Sequence, residues 1–171
     1  MTRTDMHRTA VLQGMRRESM THTIWIDTAA FRDYGGWTLD TQFTHHIGAS
    51  YLMAVGIGDP VEDARHEFEI PEDGRYRLWV LARNWLPEHT PGTFSIGLRY
   101  FRTPVELGSG KLLGAAANGE WIWEDAGVVA LAAGRLEVSL QDRTGYYGRC
   151  ATVLFTTDLD YRTAPGHLDG G

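Results

Sequence analysis

The sequence predicts an all-β fold, an antiparallel β-sandwich of the jelly-roll type, and three observations lead to this prediction. First, apolar and polar residues alternate in several short segments, which is the pattern of strands with one buried face. Second, residues typical of turns separate these segments, as in Pro71-Glu72-Asp73-Gly74 and Asn118-Gly119. Third, no stretch of eleven or more residues keeps the helical period of 3.6.

The alternation is clearest over residues 75–83, 93–100 and 136–141, where at least every second residue is apolar. Shorter segments of the same character indicate further strands at Trp25–Asp27, Trp37–Phe43, Tyr51–Val55, His66–Ile70, Val128–Leu131 and Thr152–Thr156. A short helical turn is expected at residues 28–33 or at residues 61–64. Nine or ten short strands separated by turns are typical of a sandwich rather than of an α/β fold.

Length and composition indicate one ordinary globular domain. The chain has 171 residues, of which 43% are hydrophobic and 22% are charged, and this length suits one sizeable core. We therefore expect a single sandwich domain at residues 22–162, a flexible arm at residues 1–21 and a flexible tail at residues 163–171. No secretory signal is recognisable in the arm, so we expect a cytoplasmic protein, or an extracellular one if the chain is an excised domain.

Charge and cysteine content exclude several classes of partner and site. The formal net charge of −6 argues against a nucleic-acid or anionic-membrane partner, and no apolar run is long enough to span a bilayer. Cys150 is the one cysteine, so neither an internal disulfide nor an all-cysteine metal site can form.

The six tryptophans are the first candidates for a ligand site. A sugar ring presents an apolar face of C–H groups that stacks on an aromatic plane, and tryptophan offers a large area with little rotamer entropy to lose. The candidates for stacking are Trp37, Trp85, Trp121 and Trp123. The alternative for each of them is core or loop packing, the more frequent role of large aromatic residues.

Polar candidates lie near these tryptophans or in the loop that precedes Cys150. Hydroxyl groups of a sugar need fixed polar partners, and the residues that could supply them are Asp40, Gln42, Arg83, Asn84, Asp142 and Arg149. The two arginines would suit an anionic sugar, because a guanidinium binds a carboxylate through two parallel hydrogen bonds. For the loop at residues 142–150 the alternative is a turn held by its own side-chain hydrogen bonds.

Catalytic and metal-binding motifs are poorly represented. The sequence has no Gly-x-Ser-x-Gly elbow, no His-Glu-x-x-His motif and no phosphate-binding glycine loop. His45 and His46 are adjacent, and neighbours on a strand point to opposite faces, so we expect a solvated pair rather than two ligands of one metal. In an enzyme, His45, His46, Asp40 or Asp142 would be the acid or base.

A longer series of residues resembles a known type of domain. The series consists of Trp25-Ile26-Asp27, Phe31, Gly35–Phe43, Gly48–Leu52, Pro60–Ala64, Gly74–Val80, Arg83-Asn84-Trp85, Pro91-Gly92, Trp121-Ile122-Trp123, Asp142–Gly145 and Gly148-Arg149-Cys150. Together these segments are similar to the galactose-binding-like, carbohydrate-binding-module type of jelly roll. The similarity is to the version attached to bacterial polysaccharide-processing enzymes and to some FAD-dependent oxidoreductases.

The resemblance implies a β-sandwich that binds carbohydrate or a carbohydrate-like group, usually beside a catalytic partner. It also implies a structural calcium ion held by acidic residues near the first strand. Related sequences carry two glutamates there, whereas this chain has Asp27 followed by Thr28-Ala29-Ala30. Asp27 is therefore the one candidate metal ligand, and fewer carboxylates weaken a calcium site.

Three hypotheses for the function follow. The first is a non-catalytic carbohydrate-binding domain, for which we expect an open aromatic surface. The second is a protein-interaction or homodimerisation domain, in which an exposed aromatic patch would be covered by a partner. The third is a small stand-alone enzyme that acts on a sugar-like or polar aromatic metabolite, for which we expect a cleft with a perturbed titratable group.

Overall fold

A computed structural model describes residues 20–84, 92–107, 111–115 and 119–162. The predicted tail at 163–171 and the predicted arm, except for its last two residues, lie outside the described residues. The ten strands are β1 (Thr23–Asp27), β2 (Trp37–Asp40), β3 (Tyr51–Val55), β4 (Ala64–Ile70), β5 (Gly74–Arg83), β6 (Phe94–Tyr100), β7 (Thr103–Val105), β8 (Trp121–Leu131), β9 (Gly134–Asp142) and β10 (Tyr146–Thr156). A 3₁₀ turn at Thr28–Ala30 follows β1, and the short helix α1 (Thr44–Ile47) joins β2 to β3.

The strands form two antiparallel sheets that face each other. The six-stranded sheet has the order β2-β3-β10-β5-β8. Its sixth strand, β1, pairs with the C-terminal half of β10, on the same side as β3. The four-stranded sheet has the order β4-β9-β6-β7. The predicted all-β sandwich is thus confirmed, because every pairing between named strands is antiparallel.

The core lies between the two sheets and is built from the alternating residues of the long strands. Leu78 and Val80 of β5 are fully buried against Phe94 of β6 and Leu136 of β9. Burial of each such side chain stabilises the fold by about 1.5–3 kcal/mol relative to leaving it in water. The apolar residues that recur at every second position in the sequence are therefore the ones that form this core.

The structure differs from the predicted elements at several places, and β10, for example, begins at Tyr146 rather than at Thr152. The strand expected at Trp37–Phe43 ends at Asp40, and the chain then turns into α1. The strand expected at Val128–Leu131 begins seven residues earlier, at Trp121. Strand β7 was not predicted. The helical turn near Thr28 is confirmed, whereas the alternative at residues 61–64 is wrong, because that segment leads into β4 without a helical turn.

A β-bulge explains why the alternation in β8 is hard to read from the sequence. The pairing of β8 with β5 shifts between Leu78 and Trp79, so that Gly127 and Asp125 oppose consecutive residues and Ala126 is the extra one. Gly127 has φ = 105°, a backbone conformation that favours glycine. The bulge changes which face each residue of β8 occupies, and this breaks the period of two.

The described residues contain no helix that is long and apolar enough to cross a membrane.

Candidate functional site

A second apolar cluster covers the outer face of the six-stranded sheet. Because side chains alternate along a strand, residues between the core positions of β3, β5, β8 and β10 point away from the core. Several of these outward residues are apolar and buried. This outer-face cluster consists of Ile47, Tyr51, Leu81, Trp121 and Ala151, with Phe43 and Trp123 partly buried against it.

Helix α1 is positioned by this cluster. Phe43 precedes the helix and Ile47 ends it, and residues four apart lie on the same side of a helical turn. Both side chains pack on the sheet, with the Phe43 ring 6.3 Å from Tyr51 and 6.4 Å from Trp121 between centroids. Gly48 ends the helix in the left-handed conformation at φ = 72°.

Two tryptophan rings meet at one edge of the cluster. Trp25 of β1 and Trp123 of β8 are separated in the sheet by β10 and β5, yet their ring centroids are 5.7 Å apart in an edge-to-face arrangement. The rings therefore close over the strands between them, where Leu81 and Leu154 are buried. Trp25 is 43% exposed, so this pair presents aromatic surface to solvent.

Charged residues border the other side of the cluster. Arg83 of β5 and Arg149 of β10 are direct cross-strand partners. Asp40, at the end of β2, accepts a short hydrogen bond from the Tyr51 hydroxyl, and its Oδ2 lies 4.0 Å from Nε of Arg149. The Arg83 guanidinium lies over the Phe43 ring, 3.9 Å from its centroid. Two cations, Arg83 and Arg149, and one carboxylate, Asp40, thus lie along one side of the outer-face cluster.

Burial and neighbouring charges change the titration of two groups in this region. Burial, together with the hydrogen bond to Asp40 and the charge of Asp40, raises the pKa of Tyr51 to about 12. Burial also lowers the pKa of Arg83, and the positive charge of Arg149 lowers it further. Tyr51 therefore stays a hydrogen-bond donor to Asp40 at neutral pH, and Arg83 is a cation with reduced access to water.

The structure brings together five of the predicted site residues. Trp121, Trp123, Arg83 and Arg149 lie on the outer face of the six-stranded sheet, and Asp40 lies at its border. Trp121 is only 5% exposed, whereas Trp123 is partly exposed. Another predicted residue, Gln42, lies next to Asp40 in the loop, is exposed, and donates its backbone N–H to Oδ1 of Asp40.

Three other predicted residues lie away from this face. Trp37 is 3% exposed and packs in the core edge-on against Phe94, at 5.9 Å between centroids, which matches the packing alternative. Asn84 is 1% exposed, and its Oδ1 accepts a hydrogen bond from the backbone of Gly92. Neither Trp37 nor Asn84 offers a surface to a ligand. Trp85 lies outside the described residues.

Asp142, the third of these, holds loops together. Its Oδ2 accepts a hydrogen bond from the backbone N–H of Val61, and its Oδ1 accepts from Thr144 and Gly145. It is 7% exposed. This geometry matches the alternative in which the loop after β9 is a turn held by its own side-chain hydrogen bonds.

Asp27, the candidate calcium ligand, lies at the end of β1. Asp27 is exposed, and its carboxylate lies 3.4 Å from the hydroxyl of Thr152. Over the described ranges, no group of three or more His, Cys, Asp or Glu side chains is placed to hold a metal ion. Calcium takes six to eight oxygen ligands, which backbone carbonyls and waters can supply beside carboxylates, so a calcium ion at Asp27 stays a prediction.

The paired histidines belong to α1 rather than to a strand. His46 stacks on Phe43 with ring centroids 5.6 Å apart, and the rings of His45 and His46 are 4.1 Å apart. Both histidines are exposed.

Sequence reasoning missed three aromatic residues of this face: Trp25, Phe43 and Tyr51. Phe43 lies in the polar segment Thr41–His46, where a single large apolar residue signals a local contact. Tyr51 begins the uninterrupted apolar segment Tyr51–Val55, which gives no sign of which residues face outward. The pairing of Trp25 with Trp123 depends on the sheet order, which the sequence does not reveal.

A separate groove lies beside β6 and reaches Ala126 of β8. It has a volume of about 590 Å³, and its polar lining includes Ser95, Gln141 and Arg143. Arg143 donates hydrogen bonds of 2.8 and 3.1 Å to the Ser95 hydroxyl, which contacts Oε1 of Gln141 at 3.1 Å. These polar groups satisfy one another, and the described lining contains no aromatic residue.

Comparisons with known proteins agree with this architecture. The C-terminal CBM6 of a marine laminarinase from Zobellia galactanivorans matches with a TM-score of 0.60 and 13% identity, over 79% of this chain and 99% of that one. A family 6 carbohydrate-binding module from Clostridium cellulolyticum, solved in complex with xylose, matches with a TM-score of 0.52 and 16% identity, over 77% and 95% of the two chains. The fold is that of a carbohydrate-binding module.

The same fold occurs as part of larger enzymes. A Podospora anserina GH26-CBM35 β-(1,4)-mannanase matches with a TM-score of 0.59 and 14% identity over 84% of this chain, which spans 28% of the mannanase. No model of a protein family matches this chain, and no curated protein matches it in sequence. At these identities the likeness concerns the fold, and the function has to be argued from the site.

Proposed function

We propose that this chain is a non-catalytic carbohydrate-binding domain that receives a sugar on the outer face of its six-stranded sheet. The observation that carries the proposal is the pair Trp25 and Trp123, whose rings meet on that face with Trp25 43% exposed. The carbohydrate-binding modules of the same fold support it as an analogy.

The chemistry of the face suits a sugar. An indole presents a broad apolar surface to the C–H groups of a pyranose, while the polar groups of a sugar need donors and acceptors at the edge of that surface. Arg83 and Gln42 are at least partly exposed and lie at the border of the outer-face cluster.

Two binding measurements on full-length variants test the proposal. A glycan array identifies the glycan that binds most tightly, and titration calorimetry then measures its affinity. We expect Trp123→Ala and Trp25→Ala each to weaken binding by about tenfold. Stacking of a nucleic-acid base on one aromatic side chain is worth roughly 1–3 kcal/mol, and we take the lower part of that range for a sugar ring. Repeating the array with a chelator tests the calcium that the resemblance implies.

Phe101→Ala is the matched control. Phe101 is 91% exposed and belongs to the turn between β6 and β7 of the other sheet, so its removal takes away exposed aromatic surface without touching the proposed site. Its binding should equal that of the unmodified chain. Equal affinity of all three variants, or an array without any bound glycan, would overturn the proposal.

A further inference from the structure

Two arginines and one carboxylate lie together at the border of the outer-face cluster. Arg83 and Arg149 face each other directly on β5 and β10, and like charges in such a pair repel. Arg149 has 3% of its side chain exposed and lies 4.0 Å from Asp40. Arg83 makes no ion pair and no hydrogen bond to the part of the chain that the structure describes.

Arg83 is nevertheless fixed in place. Its guanidinium stacks on Phe43 at 3.9 Å, and Phe43 packs in turn on Tyr51 and Trp121. A guanidinium donates hydrogen bonds in its own plane, so stacking one face on a ring leaves the edges available to a ligand. The side chain is partly exposed, so these edges can be reached from solvent.

The surroundings of Arg83 favour an added negative charge. Burial lowers the pKa of Arg83, and the charge of Arg149 lowers it further, which means that its cationic form is less well solvated than on an open surface. Glu120 acts in the opposite direction through space, but no ion pair joins it to Arg83. An anion at Arg83 would relieve the repulsion between the two arginines.

We propose that Arg83 binds the acidic group of an anionic sugar, a carboxylate or a sulfate ester, while Trp123 contacts the ring of the same or the next residue. Trp121 is the direct partner of Arg83 and Trp123 lies two residues farther on the same face, at about the 7–8 Å of a diagonal cross-strand pair. This inference rests on the proposed function, because it names the class of sugar that the same face accepts.

Titration calorimetry of the full chain with matched acidic and neutral sugars tests it. The probes are tetragalacturonate, its methyl ester, a sulfated galactan tetrasaccharide and the corresponding neutral galactan. We expect an acidic probe to bind about tenfold or more tightly than its neutral counterpart, and Arg83→Gln to remove that difference, because a hydrogen bond to a charged group contributes roughly 1.5–3 kcal/mol. Arg83→Lys should keep part of it, because a lysine retains the charge without the planar fork.

Arg75→Gln is the matched control. Arg75 lies on the same strand and face, is exposed, and is near the opposite end of β5, so its removal changes the net charge equally without changing the site. The comparison of each acidic probe with its ester or neutral counterpart uses the unmodified chain, so this part of the test does not depend on whether a variant folds.

The outcomes separate this inference from the proposed function. Tighter binding of the uronate or of the sulfated probe, lost in Arg83→Gln and kept in Arg75→Gln, supports the inference and identifies the acidic group. Binding of the neutral probes as tight as that of the acidic ones overturns the inference and leaves the proposed function standing. If the chain binds none of these probes and no glycan on the array, both the inference and the proposed function are overturned.

Discussion

Burial decides what each tryptophan does, and the residue type alone does not reveal it. Trp37 and Trp123 both occur in strands, but Trp37 is in register with Ala54 on the core side of β3, whereas Trp123 is in register with Leu81 on the outer side of β5. A strand residue and its direct cross-strand partner point to the same face, so the register assigns the role. The sequence shows the alternation but does not show which phase of it faces the core.

The arginines were predictable for a different reason. A charged side chain on a strand is costly to bury, so Arg83 and Arg149 had to point outward or find partners. Their proximity follows from the pairing of β5 with β10, two strands that are far apart in the sequence. Sequence reasoning therefore identified both residues as candidates and did not place them opposite each other.

Asp142 provides a stability prediction at the residue scale. Asp142→Ala should lower the free energy of unfolding by about 2 kcal/mol or more, because the backbone N–H groups of Val61, Thr144 and Gly145 lose their acceptor. Urea unfolding followed by tryptophan fluorescence measures this loss.

Asp142→Asn is the companion variant. An asparagine retains one carbonyl oxygen for Thr144 and Gly145 but cannot accept from Val61 through its NH₂ group, so an intermediate loss is expected. Unchanged urea midpoints for both variants would show that the loop does not depend on this carboxylate.

At the scale of elements, α1 is the part that the sequence could not predict. A helix of four residues is too short to show a period of 3.6 and too short to be stable by itself. It forms here because Phe43 and Ile47 pack on the outer face of the sheet and Gly48 ends the turn. Tertiary packing thus turns the end of an expected strand into a helix.

Ile47 tests this account of the helix. Ile47→Ala should lower the free energy of unfolding by about 2–4 kcal/mol, because the buried side chain leaves a cavity between α1 and the sheet. Ile57→Ala is the control, since Ile57 is 82% exposed in the loop after β3. A destabilisation by Ile47→Ala no larger than that of the control would mean that α1 is not held by the outer-face cluster.

The strands themselves were largely predictable because most of them have one buried face. Strands β5, β8 and β10 are buried on both faces over part of their length, and in β8 the bulge at Gly127 also changes the phase of the alternation. A strand that is covered on both faces loses its alternation.

At the scale of the whole molecule, the sandwich has two unlike outer faces. The outer face of the six-stranded sheet carries aromatic residues beside Arg83 and Arg149. The groove beside β6 instead combines apolar residues with Ser95, Gln141 and Arg143, which bond to one another. The chain has a formal net charge of −6, so attraction of an acidic sugar has to be local to Arg83 rather than a property of the whole surface. Turn chemistry and alternation predicted the architecture, while the site required knowledge of the sheet order.

The central claim is that the outer face of the six-stranded sheet receives the sugar, and the indole N–H signals of the six tryptophans test it most directly. These signals would be assigned with single Trp→Phe variants and followed by NMR as the tightest glycan of the array is added. The account predicts shifts for Trp25 and Trp123 and none for Trp37, which is buried in the core. Unchanged Trp25 and Trp123 signals, with shifts at Ser95 and Gln141 in the other groove, would contradict it.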